Sequence, residues 1–337
     1  MKTYLYICLL FLLTSCKSEL PSEKHFDSHI ITNVQKYVKE LSLEKVLMSG
    51  HSKLNISNEY LIISDWRGYD KLIHLFNKNT FQHLVSTSET GQGPNEITYL
   101  GSVCTDENQR KFYVFDYGKQ RLFNYSIDSL LSDPNYKFTT KAKLNKKRYP
   151  SKMYYISDTF SIAKLVDVDM NTGGANEFYG SWNINTGEFK KGYHHPSQPK
   201  DALHTSSCEF TASSEQGIYV LASRFYDLLT ICNLNGSLKY NIYGPNWRDE
   251  ISYSCHYNMD IRIGKNKIFA LYSGAHYQSK EFHPSKIVIF DVEGNYLKTL
   301  ETGYHILSFC YDKENHRLIF LTNDEMQFGY LDLEGIV

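Results

Sequence analysis

The chain has 337 residues but no long apolar run of the kind that crosses a membrane. Tyr4–Leu13 is apolar over about ten residues, whereas a transmembrane helix needs about twenty. Charge of one sign is also lacking, because 36 basic and 37 acidic residues leave a formal net charge of −1. Without a long basic run, nucleic acid is not an expected partner.

Several catalytic motifs are missing as well. The sequence contains no Gly-x-Ser-x-Gly nucleophile elbow, no His-Glu-x-x-His zinc pair and no Cys-x-x-Cys set. These motifs mark common sources of hydrolytic, metal-dependent and redox chemistry. Their absence favours a non-catalytic function.

The N-terminus has the form of a secretory signal peptide, with Lys2 followed by the apolar stretch Tyr4–Leu13. The stretch ends in Leu13-Thr14-Ser15-Cys16, which resembles the lipobox of bacterial lipoproteins. That resemblance implies a signal peptide at 1–15, an acylated Cys16 and a lipidated tether at 16–32, anchored to a membrane by its acyl chains. Lys17 stands where an inner-membrane retention signal usually has Asp, which favours the outer membrane of a Gram-negative cell. The alternative is an ordinary signal peptide with an incidental cysteine.

Cysteines are too few and odd in number for a disulfide framework. Seven occur, and five remain once Cys8 is removed with the signal peptide and Cys16 is acylated. Cys104, Cys208 and Cys310 each precede a predicted hairpin by eight to ten residues, on what should be an inner strand. We expect them to be small buried hydrophobic residues.

Aromatic residues are abundant, at 15% of the chain, and many lie in a repeated β-hairpin. In Lys111–Ser126, two runs of β-branched and aromatic residues flank a turn at Gly118. Equivalent hairpins recur with gaps of 51, 50, 56, 50 and 50 residues, at Leu61, Phe112, Ile162, Ile218, Ile268 and Leu318. Six copies at this period predict a propeller or a solenoid.

Additional short strands bring each repeat to four strands, A to D, which is the composition of a propeller blade. We therefore predict an all-β fold over 33–337: a six-bladed β-propeller with four-stranded antiparallel blades. The sixth repeat ends at Val337 without its outermost strand. Ser42–Met48, near the N-terminus, is predicted to supply it by pairing with Asp324–Leu333, which removes two exposed strand edges.

Six repeats, the lipobox and Gly91-Gln92-Gly93-Pro94-Asn95-Glu96 together resemble the TolB-like six-bladed β-propeller lipoproteins. The resemblance implies a fold and a location rather than a reaction. The Gly91–Glu96 element also permits a phosphate cradle, because successive glycines expose backbone amides. A second Gly-Pro-Asn at Gly244–Asn246, three blades later, favours a turn device instead.

The propeller topology assigns each loop to a face. The connections from D to A and from B to C share one rim, here named the upper rim, and the A–B and C–D turns share the lower rim. The upper-rim loops are rich in residues typical of binding surfaces. The candidates for ligand binding are Trp66, Arg67, Tyr117, Arg121, Arg224, Tyr226 and Tyr277. In the alternative interpretation, these aromatic residues pack between blades.

Four histidines precede strand A in four repeats: His51, His204, His256 and His305. If they converge in the central funnel, neutral imidazoles there bind a divalent metal, and the protein is a metal-dependent lyase or hydrolase. The favoured hypothesis needs no cofactor. In this hypothesis the protein is a cell-envelope lipoprotein whose propeller binds a glycan, peptide or protein partner on the upper rim.

Overall fold

The computed structural model describes residues 22–43, 46–196 and 208–337, and it confirms a six-bladed β-propeller. Six sheets follow one another along the chain, and the four antiparallel strands of each blade lie in sequence order, except that blade 6 takes its outer strand from the N-terminus. Strand A of one blade contacts strand A of the next, which places the A strands around the central channel. The signal peptide, Cys16 and His204 lie outside the described residues.

Each blade is identified here by its number and its strands by the letters A to D. Blade 1 comprises Lys53–Ser57, Tyr60–Ser64, Ile73–Asn77 and His83–Thr87. Blade 2 comprises Leu100–Asp106, Lys111–Asp116, Arg121–Ser126 and Thr139–Lys143. Blade 3 comprises Arg148–Tyr155, Ser161–Val168, Ala175–Trp182 and Phe189–Lys191.

The remaining three blades follow the same plan. Blade 4 comprises Cys208–Ser213, Ile218–Ser223, Leu228–Asn233 and Leu238–Tyr243. Blade 5 comprises Cys255–Gly264, Lys267–His276, Lys286–Asp291 and Tyr296–Glu301. Blade 6 contributes Ile306–Asp312, Arg317–Thr322 and Phe328–Asp332, and its outer strand is Lys39–Glu40. Small additions are a two-stranded ladder of Glu89–Thr90 with Glu96–Ile97, a helix at Ile127–Ser132 and 3-10 turns at Gln35–Tyr37 and Lys280–Phe282.

The core consists of apolar clusters between neighbouring blades. Tyr60 and Ile62 of strand B pack towards blade 2, whereas Leu61 and Ile63 pack towards blade 6. This alternation follows from the two-residue period of a strand, and both faces of the sheet are buried. Each of the six blade junctions contains such a cluster.

An N-terminal strand closes the ring, as predicted, but it is not the predicted strand. Lys39 pairs with Tyr330 and Glu40 with Gly329, and the described part of Ser42–Met48 contains no strand. The buried Leu41 fixes this register, because its amide donates to the Phe328 carbonyl at 2.9 Å and its side chain packs between blades 6 and 1. The predicted segment remains close to blade 6, where Gln327 donates to the Met48 carbonyl.

The segment before the closing strand lies along the outside of the wheel. Glu23–His25 pairs in parallel with strand D of blade 4, and Ile31–Asn33 pairs with strand D of blade 5. Phe26 anchors the segment by packing edge-on against Phe290, at 5.0 Å between ring centroids. Sequence patterning did not indicate these strands, which cover the outer edges of blades 4 and 5. From residue 22 onward, the segment assigned to the tether is therefore held against the propeller.

The buried cysteines match the expectation from the sequence. Cys104, Cys208 and Cys310 are buried in A strands, as predicted, and burial raises the pKa of the Cys310 thiol to about 12. No helix among residues 22–43, 46–196 and 208–337 is long and apolar enough to span a membrane.

Candidate ligand-binding rim

Large exposed apolar side chains concentrate on the upper rim. Among the described residues, seven of them lie in its D–A or B–C connections: Leu47, Trp66, Tyr69, Tyr99, Met170, Tyr253 and Tyr277. Of the others, only Leu131 lies in a lower-rim connection. Exposed apolar surface on one face of a folded domain commonly marks a binding site.

The central feature of this rim is an aromatic arc formed by five rings, His51, Trp66, Tyr99, Tyr117 and Tyr149. Successive ring centroids are 5.2, 6.4, 6.0 and 6.4 Å apart. The rings come from blades 1, 2 and 3 and the connections that precede them, so separate loops build one surface. Trp66 is 43% exposed and Tyr99 is 54% exposed, which leaves ring area accessible to a ligand.

Two contacts hold the arc in place. The Arg67 guanidinium lies 4.5 Å from the Trp66 ring centroid, a cation–π arrangement. The Tyr117 hydroxyl donates to the carbonyl of Ser151 in strand A of blade 3. A Cβ at Gly101 would lie 2.5 Å from the Tyr117 ring, so this close approach requires glycine. Burial raises the pKa of Tyr117 to about 12, which keeps the hydroxyl protonated as a donor.

Aspartates at or just after the end of strand B fix the backbone of the upper rim. The Asp116 carboxylate accepts the amides of Thr98 and Tyr99 at 2.9 and 3.1 Å. Asp65 accepts the amide and hydroxyl of Ser49, and Asp324 accepts the amide of His305 at 2.6 Å. Each aspartate thus joins a B–C loop to the D–A connection before its blade. The sequence carried the signal, an Asp directly after strand B or one residue later, but sequence reasoning missed it.

A charged cluster also lies on the upper rim, at blades 3 and 4. The Lys152 ammonium donates to the Glu209 carboxylate at 2.9 Å, joining strands A of blades 3 and 4. Arg224 Nη2 lies 3.5 Å from the other Glu209 oxygen. Burial alone would raise the pKa of Glu209, but Lys152, Lys53 and Arg224 together hold it well below its usual range. Glu209 is therefore an anion surrounded by cations.

His256 of blade 5 lies near this charged cluster. Its ring lies 5.1 Å from Phe225 and 5.1 Å from Phe282, measured between centroids. Burial, and secondarily the nearby Arg224, lower the pKa of His256, so the imidazole is neutral at physiological pH. Its Nδ1 atom and the Nε atom of Arg224 are buried without a hydrogen-bond partner among the described residues.

The structure separates the predicted rim residues into three groups. Trp66, Arg67, Tyr117, Arg224 and Tyr277 lie in upper-rim loops, and Tyr277 stacks on His276 at 4.7 Å. Arg121 begins strand C of blade 2 and donates outward to Thr140, so it contacts strand D rather than the arc. Tyr226 is only 3% exposed and packs with Trp247 of the connection that follows its own blade. Tyr99 and Lys152 belong to the surface but were not predicted.

The three predicted histidines that lie among the described residues, His51, His256 and His305, each have a different neighbour. Among the described residues, no three His, Cys, Asp or Glu side chains form a group suited to a metal ion. His51 contacts Trp66, and His256 lies between two phenylalanines. His305 Nδ1 lies 2.8 Å from Asp324, an acidic partner that sequence reasoning did not find.

The Gly91–Glu96 element uses its backbone amides internally. The Gly93 amide donates to the Glu96 carboxylate at 2.6 Å, and the Lys119 ammonium donates to the carbonyls of Gly93 and Glu96. An amide that already has an anionic partner is not available to cradle phosphate. This geometry supports the turn interpretation.

Comparisons with known proteins agree on the fold. A model of the family described as TolB-like 6-blade propeller-like matches residues 32–314. A search of curated proteins found no match. A solved member of the DUF4221 family from Bacteroides vulgatus superposes with a TM-score of 0.59 at 12% identity, over 88% of this chain and 95% of that chain.

Two further structures are similar at the level of fold. A Bacteroides fragilis protein described as exported has a TM-score of 0.53 at 12% identity, covering 88% of this chain and 86% of that chain. A luciferin-regenerating enzyme has a TM-score of 0.55 at 8% identity, covering 87% of this chain and 94% of that chain. Because one of these proteins is an enzyme, the fold alone does not decide between binding and catalysis.

Proposed function

Because the chain belongs to the TolB-like six-bladed propeller family, we propose that it is a non-catalytic binding module of the bacterial cell envelope. Its partner is a glycan, a peptide or a protein of the envelope, bound on the upper rim. The observation that carries this proposal is the aromatic arc, which brings five rings from separate loops into one surface.

The arc has the properties of a binding surface rather than of a reaction centre. Trp and Tyr side chains supply large contact areas at low conformational cost and dominate binding energies at interfaces. Asp65 and Asp116 hold the loops of these residues in place before a ligand binds, so binding costs little conformational entropy. The neighbouring titratable groups, Lys152 and Glu209, are paired with each other.

The N-terminal sequence supports a location in the envelope. We propose that Met1–Ser15 directs export and that Cys16 is acylated, anchoring the protein to the outer membrane. Replacing Cys16 by Ser should move the protein from the membrane fraction to the soluble periplasmic fraction. A C16S variant that still sediments with membranes would contradict the lipid anchor.

Binding is tested with a variant that removes exposed rings only. We expect Trp66→Ala/Tyr99→Ala/Tyr277→Ala to lose capture of a glycan on an immobilised glycan array, or of a partner from solubilised envelopes. The control is Leu84→Ala/Leu131→Ala, which also removes exposed apolar side chains but away from the upper rim. Loss in the first variant with retention in the control supports the proposal. Equal capture by both variants places the site elsewhere.

A further inference from the structure

The mouth of the central channel on the upper rim carries an excess of positive charge. The ammonium groups of Lys53 and Lys152 and the guanidinium of Arg224 all act on one carboxylate, that of Glu209. Lys53, Lys152 and Glu209 lie on the A strands of blades 1, 3 and 4, and Arg224 directly follows strand B of blade 4. Further along strand A of blade 5, Arg262 is paired with Asp260. Lys53, Lys152, Arg224 and Glu209 together carry three positive charges and one negative charge.

Hydrogen bonding at this mouth is incomplete. Glu209 is the only ion-pair partner found for Arg224 among the described residues, at 3.5 Å from Nη2, although a guanidinium has five N–H donors. Its Nε atom is buried and unpartnered, as is Nδ1 of the nearby His256. Buried donors without partners are costly, and structures normally satisfy them. A ligand group that accepts hydrogen bonds would remove this cost.

The chemistry of the mouth favours an anionic group on the ligand. The Arg fork matches the two oxygens of a carboxylate, and such charge-assisted pairs are stronger than neutral hydrogen bonds. A cationic group would instead be repelled by Lys53, Lys152 and Arg224. Glu209 is not available to bind a cationic group of the ligand, because its two oxygens already face Lys152 and Arg224.

The charged mouth is continuous with the aromatic arc. The Tyr117 hydroxyl donates to the Ser151 carbonyl, and Lys152 is the next residue along the strand. A ligand that spans both parts has an acidic group and a body with flat apolar faces.

We propose that the upper rim binds an acidic oligosaccharide, with one uronate carboxylate on Arg224 and Lys152 and the adjoining sugar rings on the aromatic arc. This proposal rests on the proposed binding function and names its ligand class. Glu209 brings the two cations to one place, because its two oxygens face Lys152 and Arg224. Binding raises the negative charge near His256 and therefore favours its protonation.

The test is titration calorimetry with tetragalacturonate and with its fully methyl-esterified form, a probe of equal length without the charges. We expect the wild type to bind the acid about tenfold or more tightly than the ester. Arg224→Gln should reduce this preference by about tenfold. Arg148→Ala serves as the control, because Arg148 is an exposed arginine of strand A in blade 3 paired with Asp167. Unfolding midpoints of both variants confirm that they fold.

Each outcome decides the proposal. Equal binding of acid and ester, an unchanged preference in Arg224→Gln, or no binding of either probe overturns it. Binding of tetraglutamate with no binding of tetragalacturonate also overturns the saccharide and assigns the mouth to acidic peptides. If these probes fail while the Trp66→Ala/Tyr99→Ala/Tyr277→Ala variant still loses capture of another ligand, the binding function stands and only the ligand class is wrong. A preference for the acid that is lost in Arg224→Gln but kept in Arg148→Ala supports it.

Discussion

Lys78 of blade 1 and Asp312 of blade 6 form a buried ion pair, with 3.0 Å between Nζ and Oδ1. Their side chains are 2% and 0% exposed. Arg317 joins the pair, because its Nε atom lies 3.0 Å from the other Asp312 oxygen and its Nη2 atom donates to the Lys78 carbonyl. The cluster lies on the lower rim of the junction where the two ends of the propeller meet.

Removing the charge of Asp312 should destabilise this junction. Asp312→Asn leaves Lys78 buried with only the exposed Glu314 as an anionic partner, and it removes the partner of Arg317. We expect a loss of about 3–5 kcal/mol in the free energy of unfolding, measured by urea denaturation. Lys313→Ala, which removes an exposed ion pair with Glu215, is the control and should cost less than about 1 kcal/mol. Equal losses in the two variants would show that the buried pair does not stabilise closure.

The closing strand should be required for a monomeric propeller. A chain that begins at residue 42 lacks Lys39–Glu40 and Leu41, which exposes the edge of strand C in blade 6. We expect a lower unfolding midpoint and concentration-dependent association, measured by light scattering after size-exclusion chromatography. A chain that begins at residue 35 lacks Ile31–Asn33 as well but keeps the closing strand, and it should associate far less. Monomeric behaviour of the shorter chain would refute the role assigned to Lys39–Glu40.

Asp116 should stabilise the upper rim through the amides that it accepts. Asp116→Ala leaves the buried carboxylate site empty and the amides of Thr98, Tyr99 and Lys119 without an acceptor. We expect a loss of about 2–4 kcal/mol in urea denaturation. Asp169→Ala is the matched control, since Asp169 also caps a B–C loop but is exposed, and it should change stability little. The aspartate has no such role if both variants unfold at the same urea concentration.

The pH dependence of stability should carry a contribution from Asp227. Burial raises the pKa of this carboxyl from its ordinary 3.8 to about 6, although the Asn246 amide and the Tyr272 hydroxyl donate to it. The folded state therefore binds more protons than the unfolded state between these values. This contribution is fully present below about pH 4 and is lost as pH rises through 6, by an amount on the order of 3 kcal/mol.

Asp227→Asn removes this titrating group. The wild-type free energy of unfolding should fall relative to that of the variant between pH 4 and pH 7, measured by urea denaturation at several pH values. A difference that stays constant over this range would mean that Asp227 has an ordinary pKa in the folded protein.

Gly101 should control the position of Tyr117. In Gly101→Ala, the new Cβ would meet the Tyr117 ring at 2.5 Å, so the ring must move away from Ser151. We expect a changed near-ultraviolet circular dichroism spectrum and weaker ligand binding. Gly50→Ala is the control, since its Cβ would lie 3.6 Å from Leu307, an ordinary contact. Identical spectra and affinities for the two variants would exclude Tyr117 from the site.

The closure of the ring shows what sequence patterns can predict and what they cannot. The missing outer strand after Leu333 showed that the N-terminus must complete blade 6, and it does so. The register depended on which apolar residue enters the junction between blades 6 and 1. Leu41 takes that position because of the space left by neighbours such as Phe328, which are distant in sequence. The predicted segment, Ser42–Met48, therefore lies a few residues after the strand that closes the ring.

The exposure of side chains on the upper rim could not be predicted from the sequence. Topology predicted which loops share the upper rim, but Tyr226 is buried by Trp247 and Arg121 turns outward to Thr140. Whether a loop aromatic is exposed depends on packing with other loops, which residue type alone does not encode.

The sequence by itself determined the number of blades, their order and the face on which each loop emerges. Those properties follow from two sequence patterns. Side chains alternate with a two-residue period along each strand, and the hairpin recurs about every fifty residues along the chain. Only the tertiary structure decided that Lys152, Glu209 and Arg224 meet at the channel mouth beside the aromatic arc. Contacts across the ring depend on how far each strand reaches towards the axis, and that distance is set by the packing of all six blades together.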